Sequence, residues 1–443
     1  MHIFKNLFFG KRFFVFLASI AVLFVFGYFY ASVYAATRLI FIIFFLACLF
    51  DMLILFQHKK GISASRKLAE KLSNGDYNPI KINFANNYNF LVNTTIIDEI
   101  PFIFQKRDFK LKCILQPGEQ KELIYTLRPT KRGSYRFGAI NIFVSSTIGL
   151  IQRRFEFDQA MEAAVYPSII QMRKYELYAI SNRLTEAGIK KIRRVGHTME
   201  FDQIRNYVRG DDYRTINWKA TARRRHIMVN QYQDEKSQHV YAIIDMGRSM
   251  KMPFDGMSLL DYAINSSLVI SNIAIQKGDK PGIVTFNDQN STVLPANGQY
   301  KHMHKILHML YKQQTAFLES DYEKMYTTIN LRVKQRSLIL LFSNFESLIA
   351  LRRQINILKG INKRHALIMI FFKNSELENY IMTTAQSTED IYKKTIAEKL
   401  LFEKRQIIKE LQQSAIQSIL VEPHNLTVSV INKYLELKAR ALI

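Results

Sequence analysis

The sequence predicts a multidomain chain: an N-terminal transmembrane helical hairpin, an antiparallel β-sandwich, and a doubly wound α/β domain. Three observations support this order. Two apolar runs lie within the first 57 of the 443 residues. Short strand-like stretches with turn residues between them continue to about residue 165, and strands alternate with helices from about residue 235. We place the boundaries at residues 1–60, 66–165, 166–234 (a connector) and 235–443.

The two apolar runs cover residues 13–36 and 39–56. A helix needs about 20 apolar residues to cross a bilayer, and so short a separation predicts an antiparallel pair. A signal peptide is the alternative for the first run, but a second run directly after it favours the hairpin. Asp51 interrupts the second run, and we expect it to find a polar partner or to reach towards the headgroups. A helix–helix contact in an oligomer is the alternative.

Basic residues predict the orientation of this hairpin. Only Arg38 lies between the runs, whereas the outer flanks contain Lys5, Lys11, Arg12, Lys59, Lys60, Arg66 and Lys67. The positive-inside rule therefore places both ends in the cytoplasm. Cys48 and Cys113 are not positioned to form a bridge, which fits a reducing compartment.

The formal net charge of +25 predicts an anionic partner or surface. Membrane lipids are the simplest such surface. Nucleic acid is the alternative, and we disfavour it because no recognised nucleic-acid motif accompanies the charge. The basic stretch 190–226 would supply the contacts in either case.

Hydrophobic periodicity predicts the elements of the two folded regions. In the β region the predicted strands are residues 88–97, 110–115, 121–127, 135–144 and 155–165. In the α/β region the predicted strands are residues 239–244, 281–286, 337–342, 366–372 and 418–421, with an edge strand at 292–295. The predicted helices are residues 259–276, 301–312, 321–334, 348–359, 389–413 and 428–442.

The first α/β strand ends in Asp245-Met246-Gly247-Arg248-Ser249-Met250. This resembles the D-x-S-x-S metal site of von Willebrand factor A-type domains, which implies a degenerate Mg²⁺ site formed by Asp245, Ser249, Ser320 (or Thr315) and Asn344. Gly247 lacks one hydroxyl and Asn344 lacks one charge, and both losses weaken a site for an ion that prefers carboxylates. In the alternative interpretation, Asp245 caps the following turn and Ser249 begins a helix. No other cofactor is predicted.

A second motif runs from Glu200 through Arg209-Gly210-Asp211-Asp212-Tyr213-Arg214 to Arg223. It resembles the signature of the bacterial family called domain of unknown function 58. That resemblance implies a membrane hairpin, a β-sandwich and a von Willebrand A-like domain in this order, and a bacterial inner-membrane location. The candidate binding residues are Arg205, Tyr207, Gly210, Asp211, Asp212, Arg214, Trp218, Lys219 and Arg223.

Two roles fit these residues. The arginines are forked donors that suit carboxylates, and we expect Trp218 to pack beneath them. The set then forms either an ion-pair clamp between the sandwich and the sheet domain or a docking surface for a protein partner.

The sequence as a whole favours a non-catalytic membrane-tethered adaptor. The family resemblance implies a MoxR-type AAA+ ATPase, or its client, as the protein partner. An enzyme is the alternative, with Glu200, Asp211, Asp212 and Asp245 as candidate acids, and it requires two of these carboxylates to converge. Surface binding to anionic lipid or nucleic acid by residues 190–226 is the third hypothesis.

Overall fold

A computed structural model describes residues 5–105, 109–180, 199–234, 237–289, 291–315, 318–385 and 387–440. The chain divides into two compact units, Met1–Tyr166 and Pro167–Ile443. The first unit contains the apolar helices and a β-rich region, and the second contains a mostly parallel sheet flanked by helices.

Two apolar helices begin the first unit, α1 (Lys11–Gly27) and α2 (Ala31–Gln57). Their aromatic rings meet along the contact, for example those of Phe13 and Phe44, whose centroids lie 5.4 Å apart. At 1.5 Å per residue α1 is about 25 Å long and α2 about 40 Å. Among the described residues, α2 is the helix that is both long enough and apolar enough to cross a membrane.

Asp51 lies near the end of α2 and is completely buried. Its carboxylate accepts hydrogen bonds from the Ser146 hydroxyl at 2.5 Å and from the backbone N–H groups of Leu150 and Ile151 at 3.0 and 2.9 Å. The expected polar partner is therefore present, and it belongs to the β-rich region. The last turns of α2 consequently pack on the β-rich core through Asp51 and Leu55, while Phe50 and Leu53 in the same turns are exposed.

The β-rich region contains eleven described strands. They are β1 (Leu7–Phe9), β2 (Ile62–Lys67), β3 (Lys71–Ser73), β4 (Asn78–Asn86), β5 (Val92–Asp98), β6 (Leu111–Leu115), β7 (Gln120–Leu127), β8 (Gly133–Phe137), β9 (Ile140–Ser145), β10 (Ile151–Phe157) and β11 (Met161–Tyr166). They form three sheets in the orders β1-β10-β9-β5-β6, β2-β4-β7 and β3-β11-β8. Side chains from all three sheets share one apolar core.

This region differs from the sequence prediction in several features. The predicted strands 135–144 and 155–165 are each two strands in different sheets, β8 with β9 and β10 with β11. The strands β2, β3 and β4 were not predicted. The pairing is not wholly antiparallel, because β3 runs parallel to β11. Leu7–Phe9, which we assigned to the cytoplasmic flank of the hairpin, pairs with β10 as an edge strand.

The second unit begins with α3 (Ile169–Ile180) and a two-stranded hairpin, β12 (Met199–Asn206) and β13 (Met228–Asp234), with the short helix α4 (Trp218–Arg224) between its strands. Its further strands are β14 (His239–Asp245), β15 (Pro253–Phe254), β16 (Met257–Ser258), β17 (Lys280–Phe286), β18 (Ser291–Leu294), β19 (Leu338–Phe342), β20 (Ala366–Phe372) and β21 (Gln417–Val421). Its further helices are α5 (Leu259–Gln276), α6 (His302–Tyr311), α7 (Tyr322–Arg332), α8 (Leu348–Arg364), α9 (Ser375–Met382), α10 (Thr388–Gln413) and α11 (Leu426–Ala439).

The main sheet has the strand order β18-β17-β14-β19-β20-β21. All neighbouring strands are parallel except β18, which is antiparallel to β17. The first of these six strands in chain order, β14, thus lies at the centre, and the order reverses between β14 and β19. One face packs against α5, α6 and α11, and the other against α7, α8 and α10.

Candidate functional site

The reversal between β14 and β19 brings two polar residues together at the carboxyl ends of these strands. Ile244 pairs with Phe342 in the sheet, so Asp245 and Ser343 emerge side by side. In open α/β sheets the connections leave on opposite sides at such a point and open a crevice that binds ligands. Asp245, which the sequence predicts at the end of the first α/β strand, thus lies at this crevice.

Four groups surround the buried carboxylate of Asp245, of which 3% is exposed. Its Oδ1 accepts hydrogen bonds from the backbone N–H of Gly247 at 2.8 Å and from the Ser320 hydroxyl. Its Oδ2 accepts one from Ser343 at 2.7 Å, and the Tyr322 hydroxyl lies 3.2 Å away. A carboxylate offers about four lone-pair positions, so these neighbours occupy its hydrogen-bonding capacity.

Burial and hydrogen bonding act in opposite directions on this group. Burial raises the pKa of Asp245 above its ordinary value, while the hydrogen bonds from Ser320, Gly247, Ser343 and Tyr322 oppose the rise. Burial, together with the charge of Asp245, also raises the pKa of Tyr322. The Tyr322 hydroxyl therefore stays protonated and can act as a donor to Asp245 or to Ser343, which lies 2.6 Å away.

Above Asp245 is a cleft of about 240 Å³. Its wall includes Ser249, which the sequence prediction placed here, and the cleft also contains Arg248, Glu319, Glu346 and Arg353. Arg248 lies 3.5 Å from Glu319 and 3.7 Å from Glu346, and all three are exposed. The rim therefore has charges of both signs, in ion pairs of a kind that contributes about 0–1 kcal/mol at a protein surface.

The predicted Mg²⁺ ligands do not fit that ion. Ser320, rather than Thr315, reaches Asp245, but it does so as a hydrogen-bond donor. Asn344 Oδ1 accepts a hydrogen bond from the ammonium group of Lys404, so a cation already occupies the position of the second acidic ligand. No group of three or more His, Cys, Asp or Glu side chains in the described ranges is arranged to hold a metal. Asp245 instead caps the turn at Gly247, as the alternative interpretation predicted. The second part of that interpretation is wrong, because the short 3₁₀ helix that follows begins at Arg248, with Gly247 and not Ser249 at its N-cap.

A serine at position 247, as in the D-x-S-x-S pattern, could not be accommodated unless Ser320 moved. A Cβ atom at this position would lie 2.4 Å from Ser320 Oγ and 3.1 Å from Asp245 Oδ1. Ser320 thus occupies the space that a side chain at position 247 would need. This chain therefore has Gly247 in place of the first serine of the D-x-S-x-S pattern, and the Ser320 hydroxyl fills the space beside Asp245.

Lys404 is a site residue that the sequence did not reveal. Its ammonium group also donates to the Phe345 carbonyl oxygen at 2.6 Å, and burial lowers its pKa to about 8. It lines a second, mainly apolar cavity of about 320 Å³ beside the Asp245 cleft, and Asn344 and Glu346 border both. Lys404 follows Asn344 by 60 residues and lies on α10, whose charged sequence predicted only a surface helix.

The second predicted site is the hairpin β12–β13. Gly210 has φ +114°, which is left-handed backbone and explains the requirement for glycine in this turn. Arg205 holds the turn with two hydrogen bonds to Asp211, at 2.8 and 2.7 Å, and Asp211 also accepts one from the Val208 N–H at 2.8 Å. These bonds raise the pKa of Arg205 and lower that of Asp211.

The rest of the signature stabilises local backbone or faces solvent. Asp212 accepts from the Arg214 N–H at 3.0 Å, and Asn217 begins α4 by accepting from the Ala220 N–H at 3.0 Å. Arg214 stacks on the Tyr213 ring at 5.7 Å. Tyr207, Lys219 and Arg223 are exposed.

The expectation that Trp218 packs beneath the arginines is wrong, because 71% of its surface is exposed. Of the three predicted carboxylate-pairing arginines, Arg205 forms such a pair, while Arg214 and Arg223 form none with any residue that the structure describes. The side chain of Glu200 and residues 190–198 lie outside the described part of the chain.

Comparison with known proteins gives a family match for part of the chain. Residues 203–379 match the family described as "Protein of unknown function DUF58". The uncharacterized protein YeaD of Bacillus subtilis is 20% identical over 187 residues, which cover 42% of this chain and 44% of that protein. The uncharacterized proteins Mb1516 of Mycobacterium bovis and Rv1480 of Mycobacterium tuberculosis are each 24% identical over 177 residues, or 40% of this chain and 55% of theirs. The chain thus spans about half the length of these relatives.

Solved structures resemble smaller parts of the chain. The CARDB domain of the PF1109 protein from Pyrococcus furiosus has a TM-score of 0.17 at 15% identity and covers 24% of this chain and 86% of that one. The ASH/PapD-like domain of human CEP192 has a TM-score of 0.18 at 9% identity, with the same coverage of 24% and 86%. The resemblance found in the signature is confirmed by the family match, which covers residues 203–379 of this chain.

Proposed function

We propose that this chain is a non-catalytic, membrane-tethered adaptor that docks a protein partner in the cleft above Asp245. One observation carries the proposal. The cleft lies where open α/β sheets bind ligands, yet the carboxylate at its floor is already bonded to Gly247, Ser320 and Ser343, with Tyr322 beside it. The carboxylate at the floor of the cleft therefore has no lone pair free to act as a base or to bind a metal, and the charged rim is formed by the exposed side chains of Arg248, Glu319 and Glu346.

The other candidate acids support a non-catalytic role. A carboxylate pair for acid–base chemistry needs two groups in one pocket. Asp211 is instead paired with Arg205, and Asp212 caps a turn of the same hairpin. Neither residue borders the Asp245 cleft.

We infer that the sheet domain is von Willebrand factor A-like. The mostly parallel sheet, with Asp245 at the end of its central strand, supports this assignment together with the Asp-x-Gly-x-Ser sequence. Docking in this protein would differ from the metal-bridged mode of such domains, because Lys404 supplies the positive charge at Asn344.

We infer that α1 and α2 form a membrane hairpin whose ends both lie in the cytoplasm. The apolar length of α2, the ring contacts between the two helices and the basic flanks support this arrangement. By the family resemblance, the docked partner would be a MoxR-type AAA+ ATPase or its client, held at the inner face of a bacterial membrane.

Site-specific photocrosslinking from the cleft tests the proposal. Arg353 borders the cleft, and Lys363 is an exposed residue near the other end of the same helix, α8. A crosslinking residue at 353 in the native membrane should capture an AAA+ ATPase, whereas one at 363 should not. Gly247→Ser, which must displace Ser320, should lower the yield from position 353.

Equal capture from positions 353 and 363 would show that the cleft is not the docking site. A yield from position 353 that is unchanged by Gly247→Ser would show that the floor of the cleft takes no part.

A further inference from the structure

The hairpin tip has several large apolar side chains that are exposed to solvent. We use the name signature patch for the exposed surface of residues 204–227. Within it, the exposed fractions are 71% for Trp218, 70% for Tyr213, 61% for Val208 and 48% for Ile227. Trp218 is the single tryptophan of the chain. An aromatic and aliphatic cluster left to water in this way marks an interaction surface.

The same patch has a strong positive charge. It contains seven Lys or Arg residues and two Asp residues. Asp211 is neutralised by Arg205. The remaining basic side chains form no ion pair within the described part of the chain and are Arg209, Arg214, Lys219, Arg223, Arg224 and Arg225, all exposed. The patch is therefore complementary to a negatively charged surface.

The backbone beneath these side chains is held in place. The Tyr207 N–H donates to the Ile227 carbonyl oxygen and the Asn217 N–H to that of Met228, both at 2.8 Å. With the Arg205–Asp211 pair and the cap of α4, these bonds fix the tip of the hairpin. Because these bonds hold the backbone, binding by the exposed side chains costs less conformational entropy than binding by an unstructured loop.

We propose that the signature patch binds the surface of an anionic membrane. Tryptophan and tyrosine partition to the headgroup region because their rings are amphipathic, and arginine and lysine are attracted to anionic headgroups. This inference rests on the proposed tether, since α2 would keep the patch beside a bilayer at high effective concentration. It goes beyond the adaptor function by giving the family signature a lipid contact distinct from the Asp245 cleft.

Trp218 itself reports this contact. The full chain is reconstituted into vesicles of phosphatidylcholine and into vesicles that also contain phosphatidylglycerol. In the anionic vesicles the Trp218 emission should shift to the blue and be quenched by brominated lipid, and added salt should reverse both effects because it screens the headgroups. In phosphatidylcholine the emission should stay that of an exposed tryptophan.

Two charge-matched triple variants distinguish lipid binding by the signature patch from a general electrostatic attraction of the basic chain to anionic vesicles. R223E/R224E/R225E changes the patch, and K359E/K363E/K399E changes three exposed lysines on α8 and α10 by the same total charge. The first variant should lose the blue shift and the quenching, and the second should keep both. Circular dichroism should show that both variants are folded.

The outcomes also separate this inference from the proposed tether. Failure of the chain to float with phosphatidylcholine vesicles would contradict the tether. If the chain floats but Trp218 emission is the same in neutral and anionic vesicles, the patch does not bind lipid. Equal losses in the two triple variants, or a Trp218 shift with single-stranded RNA and none with anionic vesicles, would also overturn the inference.

Discussion

At Asp245, burial and hydrogen bonding oppose each other on one carboxylate. Its folded pKa is raised above the ordinary 3.8, so the folded state favours the protonated form. The corresponding contribution to stability is complete below the ordinary pKa and is lost as pH rises through the raised folded pKa. Ionised Asp245 therefore lowers the free energy of unfolding at neutral pH. Buried groups with such shifted pKa values are common at functional sites.

Two substitutions at this position should differ in their effects. In Asp245→Asn one oxygen can still accept from Gly247, and the new NH₂ group can donate to Ser343 and Tyr322. We expect a loss of about 1 kcal/mol, and a flatter dependence of the unfolding free energy on pH above pH 4. Asp245→Ala leaves buried donors without an acceptor and should cost roughly 3 kcal/mol.

Denaturant unfolding of the full chain in detergent, repeated across pH, measures these effects. Equal losses in the two variants would contradict the hydrogen-bonded role of Asp245. An unchanged pH dependence in Asp245→Asn would contradict the raised pKa.

Lys404 gives a second prediction for a single residue. Its pKa of about 8 means that half of its amines are unprotonated near pH 8. Because the folded pKa is lowered from 10.5, stability should rise with pH between about 8 and 10.5, and Lys404→Met should remove this rise. Partial exposure of the side chain will reduce the size of the effect.

Competitive acylation followed by mass spectrometry measures the Lys404 titration directly. Its labelling rate should reach half of its maximum near pH 8. Lys399, which is exposed on the same helix, is the control. Parallel labelling curves for the two lysines would contradict the prediction.

At the scale of elements, a substitution at Asp51 has two opposite effects. It makes α2 more hydrophobic, and it removes the hydrogen bonds that join α2 to the β-rich region. Asp51→Leu makes α2 more apolar, which alone would favour insertion into a membrane. It also removes the acceptor for the Leu150 and Ile151 N–H groups. Each buried donor left unpaired costs about 1–3 kcal/mol, so we expect the first unit to be less stable in detergent.

The adjacent and exposed Phe50 provides a control, because Phe50→Leu changes the same helix without touching the sheet. The thermal unfolding midpoint should fall in Asp51→Leu and stay unchanged in Phe50→Leu. A higher midpoint in Asp51→Leu would show that helix hydrophobicity outweighs these hydrogen bonds.

The elements that the sequence predicted well have strong local signals. The buried strand His239–Asp245 and the helix Leu259–Gln276 are near their predicted bounds, the latter with a Ser258–Asp261 capping box at its start. The strands β10 and β11 were merged because residues 158–160 contain no glycine or proline to mark the break. The strands β8 and β9 were merged although Gly138 lies between them. The strand β1 was missed because its three residues gain their structure only from a distant partner.

Site residues were likewise predicted where a local sequence signal marks them. Asp245 and Ser320 could be predicted because a short motif and the sheet topology point to them. Tyr322 and Lys404 could not, since burial and a contact across 60 residues give them their roles. The exposure of Trp218 was also unpredictable, because a lone tryptophan in a sequence ordinarily belongs to a core.

At the scale of the whole molecule, the sequence predicted the apolar helices and a β-rich region after them, but not which residues join the two. The end of α2 is part of the β-rich core through Asp51 and Leu55, whose carbonyl oxygen accepts from Tyr88 at 2.7 Å and from Arg153 at 2.6 Å. These contacts join a membrane-length helix to a folded domain without a flexible linker. A tether of this kind would hold the β-rich region at a fixed distance from the bilayer.

Hydrogen–deuterium exchange of the full chain, alone and with the ATPase captured from position 353, measures directly where the partner binds. A partner docked above Asp245 should slow exchange in the segments around the cleft, residues 247–251, 319–322 and 344–354. Exchange at the opposite ends of β14 and β19 should be unchanged. Protection at those opposite ends, with none around the cleft, would contradict the claim that this protein docks its partner above Asp245.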